Sequence, residues 1–297
     1  MERNSEGFER ETLIGDKMEI LSRHTISILG IKGYGKTVAS SILTNNINDK
    51  VVIVIDTVGA YTRDRLIKKA EYIRIKRIGN RKEVIKKGLI SSLKQIREMK
   101  VVFDISRLKR QELVIFIDVL AELLLELGEK GNYFVLVIDE IGEYLPQNRI
   151  VYSEELERVI RIGRNYNISP VIMITQRPQK VAKDVLALSD TYIIFKTIHQ
   201  LDREKIKELL GLSKEEFRDI ENILKNLKIG ESLVITEQLD TFLVRWDMEN
   251  QDYILQEQEK EFEKKEIEKE KVKVKDKRRL GKKTRDYWLK MLNEVEE

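Results

Sequence analysis

An α/β fold on a mainly parallel central sheet flanked by helices is what this sequence predicts, and three observations predict it. Short β-branched runs alternate with longer segments of helical period, the runs are apolar almost throughout, and a glycine-rich loop stands between the first run and the helix that follows. Strands apolar on both faces belong to a sheet covered on both sides, which in a chain of alternating strands and helices is a parallel one. At 297 residues and 41% hydrophobic, the chain can bury the core of one large domain and still carry appendages.

The predicted strands are, in order, Thr25–Leu29, Val51–Asp56, Val101–Asp104, Tyr133–Asp139, Val171–Thr175 and Tyr192–Phe195, with helices between them. Leu113 to Leu127 is the most apolar stretch, but Asp118, Glu122 and Glu126 interrupt it. It is also shorter than the roughly 20 apolar residues of a bilayer span, so it reads as a core helix and no transmembrane segment is expected. After Lys196 the pattern changes to helices at Asp202–Leu210 and Lys214–Asn226, then to strands at Ser232–Thr236 and Phe242–Trp246 that form a closing hairpin. These bounds divide the chain into an N-terminal extension (1–23), one domain (24–247) and a charged, helical or partly disordered C-terminal tail (248–297). From Gln256 to Lys283 the tail is almost entirely Glu, Lys and Arg, a composition that builds no packed core. Its basic part reads either as an arm on nucleic acid or as a solvated spacer helix. Beyond it Tyr287, Trp288, Met291, Leu292 and Val295 share one helical face, suited to docking on the domain itself or on a partner.

Charged residues make up 36% of the chain against a usual value of about 25%, yet Lys+Arg 55 nearly balance Asp+Glu 51, so the net charge of +4 gives only a weak general pull on polyanions. The absence of Cys excludes disulfides and thiolate metal sites, and the Lys, Glu and Ile richness points to an intracellular protein from a hot environment. The first 17 residues carry Glu2, Glu6, Glu9, Glu11 and Asp16 without an apolar run, unlike a secretory signal, so a cytoplasmic protein is expected. His24 and His199 stand far apart, with no ligand partners in sequence.

The chemistry begins at Gly30-Ile31-Lys32-Gly33-Tyr34-Gly35-Lys36-Thr37, a complete G-x-x-x-x-G-K-T between an apolar strand and the helical Val38 to Leu43. Glycines let the backbone turn its N–H groups around phosphate oxygens, and the helix N-terminus adds a positive dipole end. Lys36 bridges β and γ oxygens and Thr37 reaches Mg²⁺. Gly30 and Lys32 to Val38 are therefore the candidate ATP-binding residues. Phe134 to Ile138 delivers Asp139 and Glu140 at a strand's C-terminal end, where α/β sheets gather their ligands. Asp139 is the second candidate in the Mg²⁺ shell, and Glu140 the group that orients and deprotonates the attacking water. Alone, two acids after a strand are as often a helix cap. Beside a phosphate loop they describe a RecA-like P-loop ATPase of the motor type.

A further strand, Val171–Thr175, ends in Gln176-Arg177-Pro178, where Gln176 can report the γ-phosphate through a hydrogen bond or simply cap a turn. Glu154 to Arg164 is expected as one helix with Arg158, Arg161 and Arg164 on a shared face. That face is either a solvated one paired with Glu154, Glu155 and Glu157, or the source of an arginine that completes a neighbouring subunit's site.

Taken together, these residues resemble the HerA–FtsK superfamily of hexameric DNA-pumping ATPases, its HerA-like branch in particular. The resemblance runs from Ser27 to about Trp246. It rests on Gly30–Thr37, Val58-Gly59-Ala60-Tyr61, Val102 to Ser106, Ile138-Asp139-Glu140 with Leu145-Pro146, Arg161 to Tyr166, Thr175 to Pro178, Leu186, Ser189-Asp190-Thr191 and Leu227 to Glu231. It implies that Gln176 is the sensor amide and that Arg161 or Arg164 acts in trans. With only about two dozen residues before the first strand, no β-barrel domain is expected there, and the chain is similar to a minimal motor, either the genome-packaging ATPases of archaeal and other membrane-containing viruses or plasmid transfer motors. Thr57-Val58-Gly59 departs from the family's pattern and leaves Asp56 the part of a strand-end cap.

The expectation is thus an ATP- and Mg²⁺-dependent double-stranded DNA translocase, a homohexamer without sequence specificity, packaging a viral genome in the host cytoplasm or in association with the virion. Its tail is expected to dock on a capsid or membrane protein. In a ring, a few basic residues per subunit suffice to face the phosphates, and Arg74, Lys76, Arg77, Arg81 and Lys82 are the candidates. The rivals are a plasmid-conjugation or DNA-processing motor of the same type, and a non-translocating P-loop assembly or secretion ATPase.

Overall fold

The computed structural model describes residues 24–79 and 81–255. The strands are β1 (Thr25–Leu29), β2 (Val51–Asp56), β3 (Ala70–Arg74), β4 (Lys100–Asp104), β5 (Phe134–Ile138), β6 (Ile168–Thr175), β7 (Thr191–Phe195), β8 (Glu231–Thr236), β9 (Thr241–Asp247) and β10 (Asp252–Leu255). Between them lie α1 (Lys36–Asn46), α2 (Ala60–Asp64), α3 (Lys82–Gln95), α4 (Arg110–Glu129), α5 (Glu154–Ile162), α6 (Lys183–Leu186), α7 (Gln200–Leu209) and α8 (Lys214–Asn226). All ten strands form one sheet in the order β10-β9-β8-β7-β1-β6-β5-β2-β4-β3. The seven from β7 to β3 run parallel, and β8, β9 and β10 continue the sheet antiparallel.

The near-continuous apolar runs have their explanation here. Every residue of β1, β2, β4, β5 and β7 is buried, and successive side chains enter different cores. Ile53 and Ile55 of β2 join one cluster with α3, α4 and α5, while Val52 and Val54 join another with α1 and Tyr61. Period-two alternation therefore persists, with both faces apolar. The acids that break up α4 each have a partner: Asp118 accepts from Ser153 Oγ at 2.5 Å, Glu122 from Lys82 at 3.0 Å and Glu126 from Lys86 at 2.6 Å. Among the described residues no helix is long and apolar enough to cross a membrane.

Three sequence expectations are altered. The sheet has two strands more than the periodicity gives, and both are edges: β3 reads Ala-Glu-Tyr-Ile-Arg and stays half-exposed, and β10 pairs only with β9. Charged, mixed-polarity edge strands blunt unwanted pairing and carry little apolar signal. With β10 the sheet continues to Leu255, beyond the expected end at Asp247. Finally, α5 stops at Ile162 and a 3-10 turn follows over Gly163–Tyr166, closed by Asn167 at φ 58°. Gly163, Asn165, Tyr166 and Asn167 are weak helix formers that outnumber the single good one, Arg164, and a 3-10 turn is the usual tightening of a last turn. Arg158 and Arg161 thus lie on a helix and Arg164 does not, so the expected three-arginine face is broken. The N-terminal extension and the tail from residue 256, with its docking face, lie outside the described residues.

Candidate functional site

Parallel strands deliver their C-terminal ends to one edge of the sheet. The register of β1 and β5 against β6 ends at Leu29↔Thr175 and Ile138↔Met173, so Gly30, Glu140 and Gln176 leave the sheet side by side. The strand carrying Gln176 lies between the strand of the glycine loop and the strand of the two acids.

The loop is held by neighbours that the sequence motif does not include. Gly30 sits at φ 133°, and a Cβ there would stand 2.7 Å from Cβ of Phe195; Gly35 sits at φ 112°, with Cε1 of Phe195 3.2 Å from where its Cβ would be. Only glycine satisfies both the conformation and the close approach. Ile31 N–H donates to Lys196 O at 3.0 Å, and Gly230 N–H donates to Tyr34 O at 3.1 Å. The Leu227 to Glu231 tract thereby clamps the rim of the loop, and Trp246 N–H in turn holds Gly230 O at 2.9 Å. Lys196 Nζ stands over the Tyr34 ring, 5.4 Å from its centroid. Lys32 and Gly33 are exposed on the loop, and Thr37 and Val38 are half-buried at the start of α1. No side chain caps that helix start and no acid lies in its first turn, so its N–H groups face outward as an anion site.

Lys36 is buried and its ammonium donates to Ile31 O at 2.9 Å. Burial pushes its pKa down, and the carboxylates of Glu140 and Asp139 pull it back up. Asp139 is buried too. Loss of hydration, then the neighbouring Glu140 and Asp56, push its carboxyl up to about 8, against the pull of Lys36. Its backbone is pinned on both sides: N–H donates to Ile55 O at 3.1 Å, and the carbonyl accepts from Thr57 Oγ1 at 2.5 Å. The Thr57 hydroxyl also meets Tyr144 OH at 2.6 Å, which gives the atypical Thr57 a use. Asp139 Oδ2 is buried with no hydrogen-bond partner. An orphaned carboxylate oxygen in reach of a lysine and a second acid is the donor a hard divalent cation requires, so Asp139, with the Thr37 hydroxyl, fits Mg²⁺.

Glu140 takes up a left-handed conformation, φ 49°, as the chain turns from β5 into the 3-10 turn Ile141–Glu143. For a non-glycine residue this costs about 1–2 kcal/mol. The turn carries its carboxylate to Gln176. Burial raises the Glu140 pKa, while a hydrogen bond from the Gln176 side chain, then the charge of Lys36 and the Gln176 backbone N–H, favour the ionised form. A carboxylate so poised can accept a proton from water. Gln176 is tied onward, because Arg177 Nε lies 3.5 Å from the buried Asp202 of α7 and Gln179 N–H donates to the same carboxylate at 3.3 Å. Asp56 Oδ2 accepts from Thr62 N–H at 2.8 Å, the strand-end cap expected of it.

Lys36, Thr37, Asp139, Glu140 and Gln176 come together; Arg161 and Arg164 do not join them. Both precede β6, and that eight-residue strand spans about 26 Å at roughly 3.3 Å per residue. At this far edge Arg161 is paired with Glu157 at 2.5 Å and Arg158 with Glu155 at 3.5 Å. Arg164 is exposed and has no acidic partner among the described residues.

No family model and no curated protein matches this sequence. Solved structures do. The genome packaging NTPase B204 from Sulfolobus turreted icosahedral virus 2, in complex with ATP-gammaS, aligns with TM-score 0.54 and 16% identity over 75% of this chain and 96% of that one. VirB4 of Thermoanaerobacter pseudethanolicus aligns with TM-score 0.55 and 14% identity over 75% and 89%. The bacterial conjugative coupling protein TrwB, in its sulphate complex, gives 0.52 and 10% over 78% and 86%. The P-loop NTPase fold is thereby established.

Proposed function

We propose that this chain is an ATP-driven double-stranded DNA translocase of the HerA–FtsK superfamily that packages a viral genome, hydrolysing ATP at the subunit interfaces of a homohexameric ring. One observation carries the reading: a phosphate loop, two acids and an amide share one sheet edge, while the unpaired Arg164 stands at the opposite edge, beyond reach of its own site. Likeness to a genome packaging NTPase over nearly that protein's whole length supports the packaging role. Likeness to VirB4 and to a conjugative coupling protein supports a second reading, a plasmid-conjugation motor. Capsid genes beside this one favour the first, a nuclease gene the second.

In this mechanism the loop N–H groups and the start of α1 cradle the phosphates, and Lys36 spans the β and γ oxygens. Thr37 and Asp139 would hold Mg²⁺, which neutralises charge on the triphosphate. Glu140 accepts the proton of the attacking water, and Gln176, hydrogen-bonded to Glu140, reads the γ position. Arg164, or Arg161 released from Glu157, enters the next subunit's site and stabilises the charge that develops there. Through Arg177 and Asp202, movement of the Gln176 tip reaches α7.

The test is the ATPase rate with and without duplex DNA, measured alongside mass in solution. Stimulation by DNA and a six-protomer mass are expected, with Lys36→Ala abolishing both basal and stimulated rates. Glu140→Gln should keep ATP binding while turnover falls by about 10²–10⁴-fold. A monomer hydrolysing ATP at full rate, indifferent to DNA and dilution, would overturn the reading.

A further inference from the structure

The loops that follow β3 and β4 emerge side by side at the same sheet edge as the phosphate loop, but four and five strands away from β1, about 19–24 Å at roughly 4.8 Å per strand. One buried carboxylate stitches their bases together. Asp104 accepts from Arg74 Nε at 2.6 Å, just before the first loop, and from Ser106 Oγ at 2.6 Å, at the start of the second. Its carbonyl takes Ile75 N–H at 2.9 Å. Between the loops lies an open cavity of about 1000 Å³ lined by Lys76, Arg77, Ile78, Arg81, Arg107 and Lys109, with Glu112 as its single acid.

Ion pairing sorts the basic residues of this region. Arg74 is committed to Asp104 and Lys82 to Glu122, at 2.6 and 3.0 Å. Lys76, Arg77 and Arg81 have no acidic partner among the described residues, and Arg107 and Lys109 join them from a loop that sequence spacing does not bring near. The Glu112 carboxylate is engaged by Lys109 N–H at 2.8 Å at the start of α4.

We propose that this concave surface, built by Lys76, Arg77, Arg81, Arg107 and Lys109, holds the phosphate backbone of duplex DNA; the proposal rests on the DNA-translocase reading above. Cations without aromatic neighbours hold backbone phosphates and do not stack bases, so the contact is independent of sequence and of unpaired strands. The only apolar side chain in the lining, Ile78, is packed against the core and offers no wedge for a lipid surface. A cluster removed from the nucleotide by several strands, yet fixed to the same edge, can grip one polyanion while the phosphate loop holds another.

The experiment uses the full chain with a fluorescent 30-base-pair duplex, Mg²⁺ and a non-hydrolysable ATP analogue, with affinity followed across salt concentrations. The triple variant Lys76→Gln, Arg77→Gln, Arg81→Gln should bind about tenfold or more weakly near physiological salt, its log–log salt slope reduced by about two to three. Arg77→Gln or Arg107→Gln alone should each reduce the slope by about one, and these singles decide the matter if the triple variant fails to fold. Binding of the ATP analogue should be unchanged in all of them. A control triple, Lys68→Gln, Lys87→Gln, Lys214→Gln, removes exposed cations elsewhere and should leave the slope near the parent value. Parent-like affinity and slope in the Lys76, Arg77, Arg81 variant, or an equal loss in the control, overturns this surface and leaves the translocase reading standing. A parent chain that binds no duplex overturns both, as does capture of polyglutamate or phosphatidylserine vesicles in place of DNA.

Discussion

At the C-terminal edge of the parallel strands, Lys36 and Asp139 are buried, Glu140 is half-buried, and each is shifted in pKa by lost hydration and then by neighbouring groups of the same site. At the N-terminal edge, Arg158, Arg161 and Arg164 are exposed. Groups brought out of water cost free energy unless something binds them, so the first edge is built around a charged ligand. Exposed arginines cost nothing to leave alone, and what distinguishes Arg164 is that, among the described residues, it has no acidic partner such as Arg158 and Arg161 have. In the proposed mechanism the two edges meet between chains, where Arg164 of one would add a second cation to the Lys36 site of the next.

The largest effect expected from breaking this relation is in Arg164→Ala, which should lower DNA-stimulated turnover by about 10³-fold or more while ATP binding persists. Arg161→Ala, which removes a surface i,i+4 pair, should stay within about twofold. Mixing the inactive Arg164→Ala chain with inactive Lys36→Ala should restore part of the rate, because some interfaces then join an intact loop to an intact arginine. No recovery, or a large effect of Arg161 in place of Arg164, would reassign the cation. Gln176→Ala should be milder, about tenfold to a hundredfold in DNA-stimulated turnover, with the uncoupled basal rate less affected. Equal losses in both rates would make Gln176 a turn cap only.

The C-terminal edge was largely legible in the sequence because its residues are dictated one by one by phosphate chemistry: Gly30, Gly35, Lys36 and Asp139 admit few substitutes. What supports them was not. Phe195, Lys196 and Gly230 clamp the glycine loop through close approach and backbone hydrogen bonds, contacts for which many side chains would serve and which therefore leave no motif. The left-handed turn at Glu140 is likewise invisible in a residue type that rarely adopts it. The eight inner strands announced themselves, six by apolar runs and two as a closing hairpin, whereas β3 and β10 are edges whose composition is loop-like. The break of α5 before Arg164 follows from weak helix formers acting together, and a three-residue spacing rule does not detect it.

The comparison sharpens at its smallest scale in a cation of the N-terminal edge that does serve its own chain. Lys100, the first residue of β4, is buried, and its ammonium donates to Thr44 O and Asn45 O at 2.9 and 2.8 Å, capping the C-terminus of the helix whose other end meets the phosphates. Favourable as that is for the helix dipole, burial pulls its pKa down to about 8, with Lys69 adding to the fall. Between that value and about 10.4 the unfolded chain holds a proton the folded chain has released, so stability from this group rises with pH across the window and is constant below it. Lys100→Met, compared with the parent by denaturant unfolding, should therefore show a stability gap constant up to about pH 7. From there to about pH 10 the gap should shift in the parent's favour by roughly 1 kcal/mol per pH unit. A gap that stays flat to pH 10 would mean that the capped carbonyls hold the ammonium as firmly as water does. Burial at this edge would then carry no cost, and the contrast between Lys100 and the exposed Arg164 would rest on geometry alone.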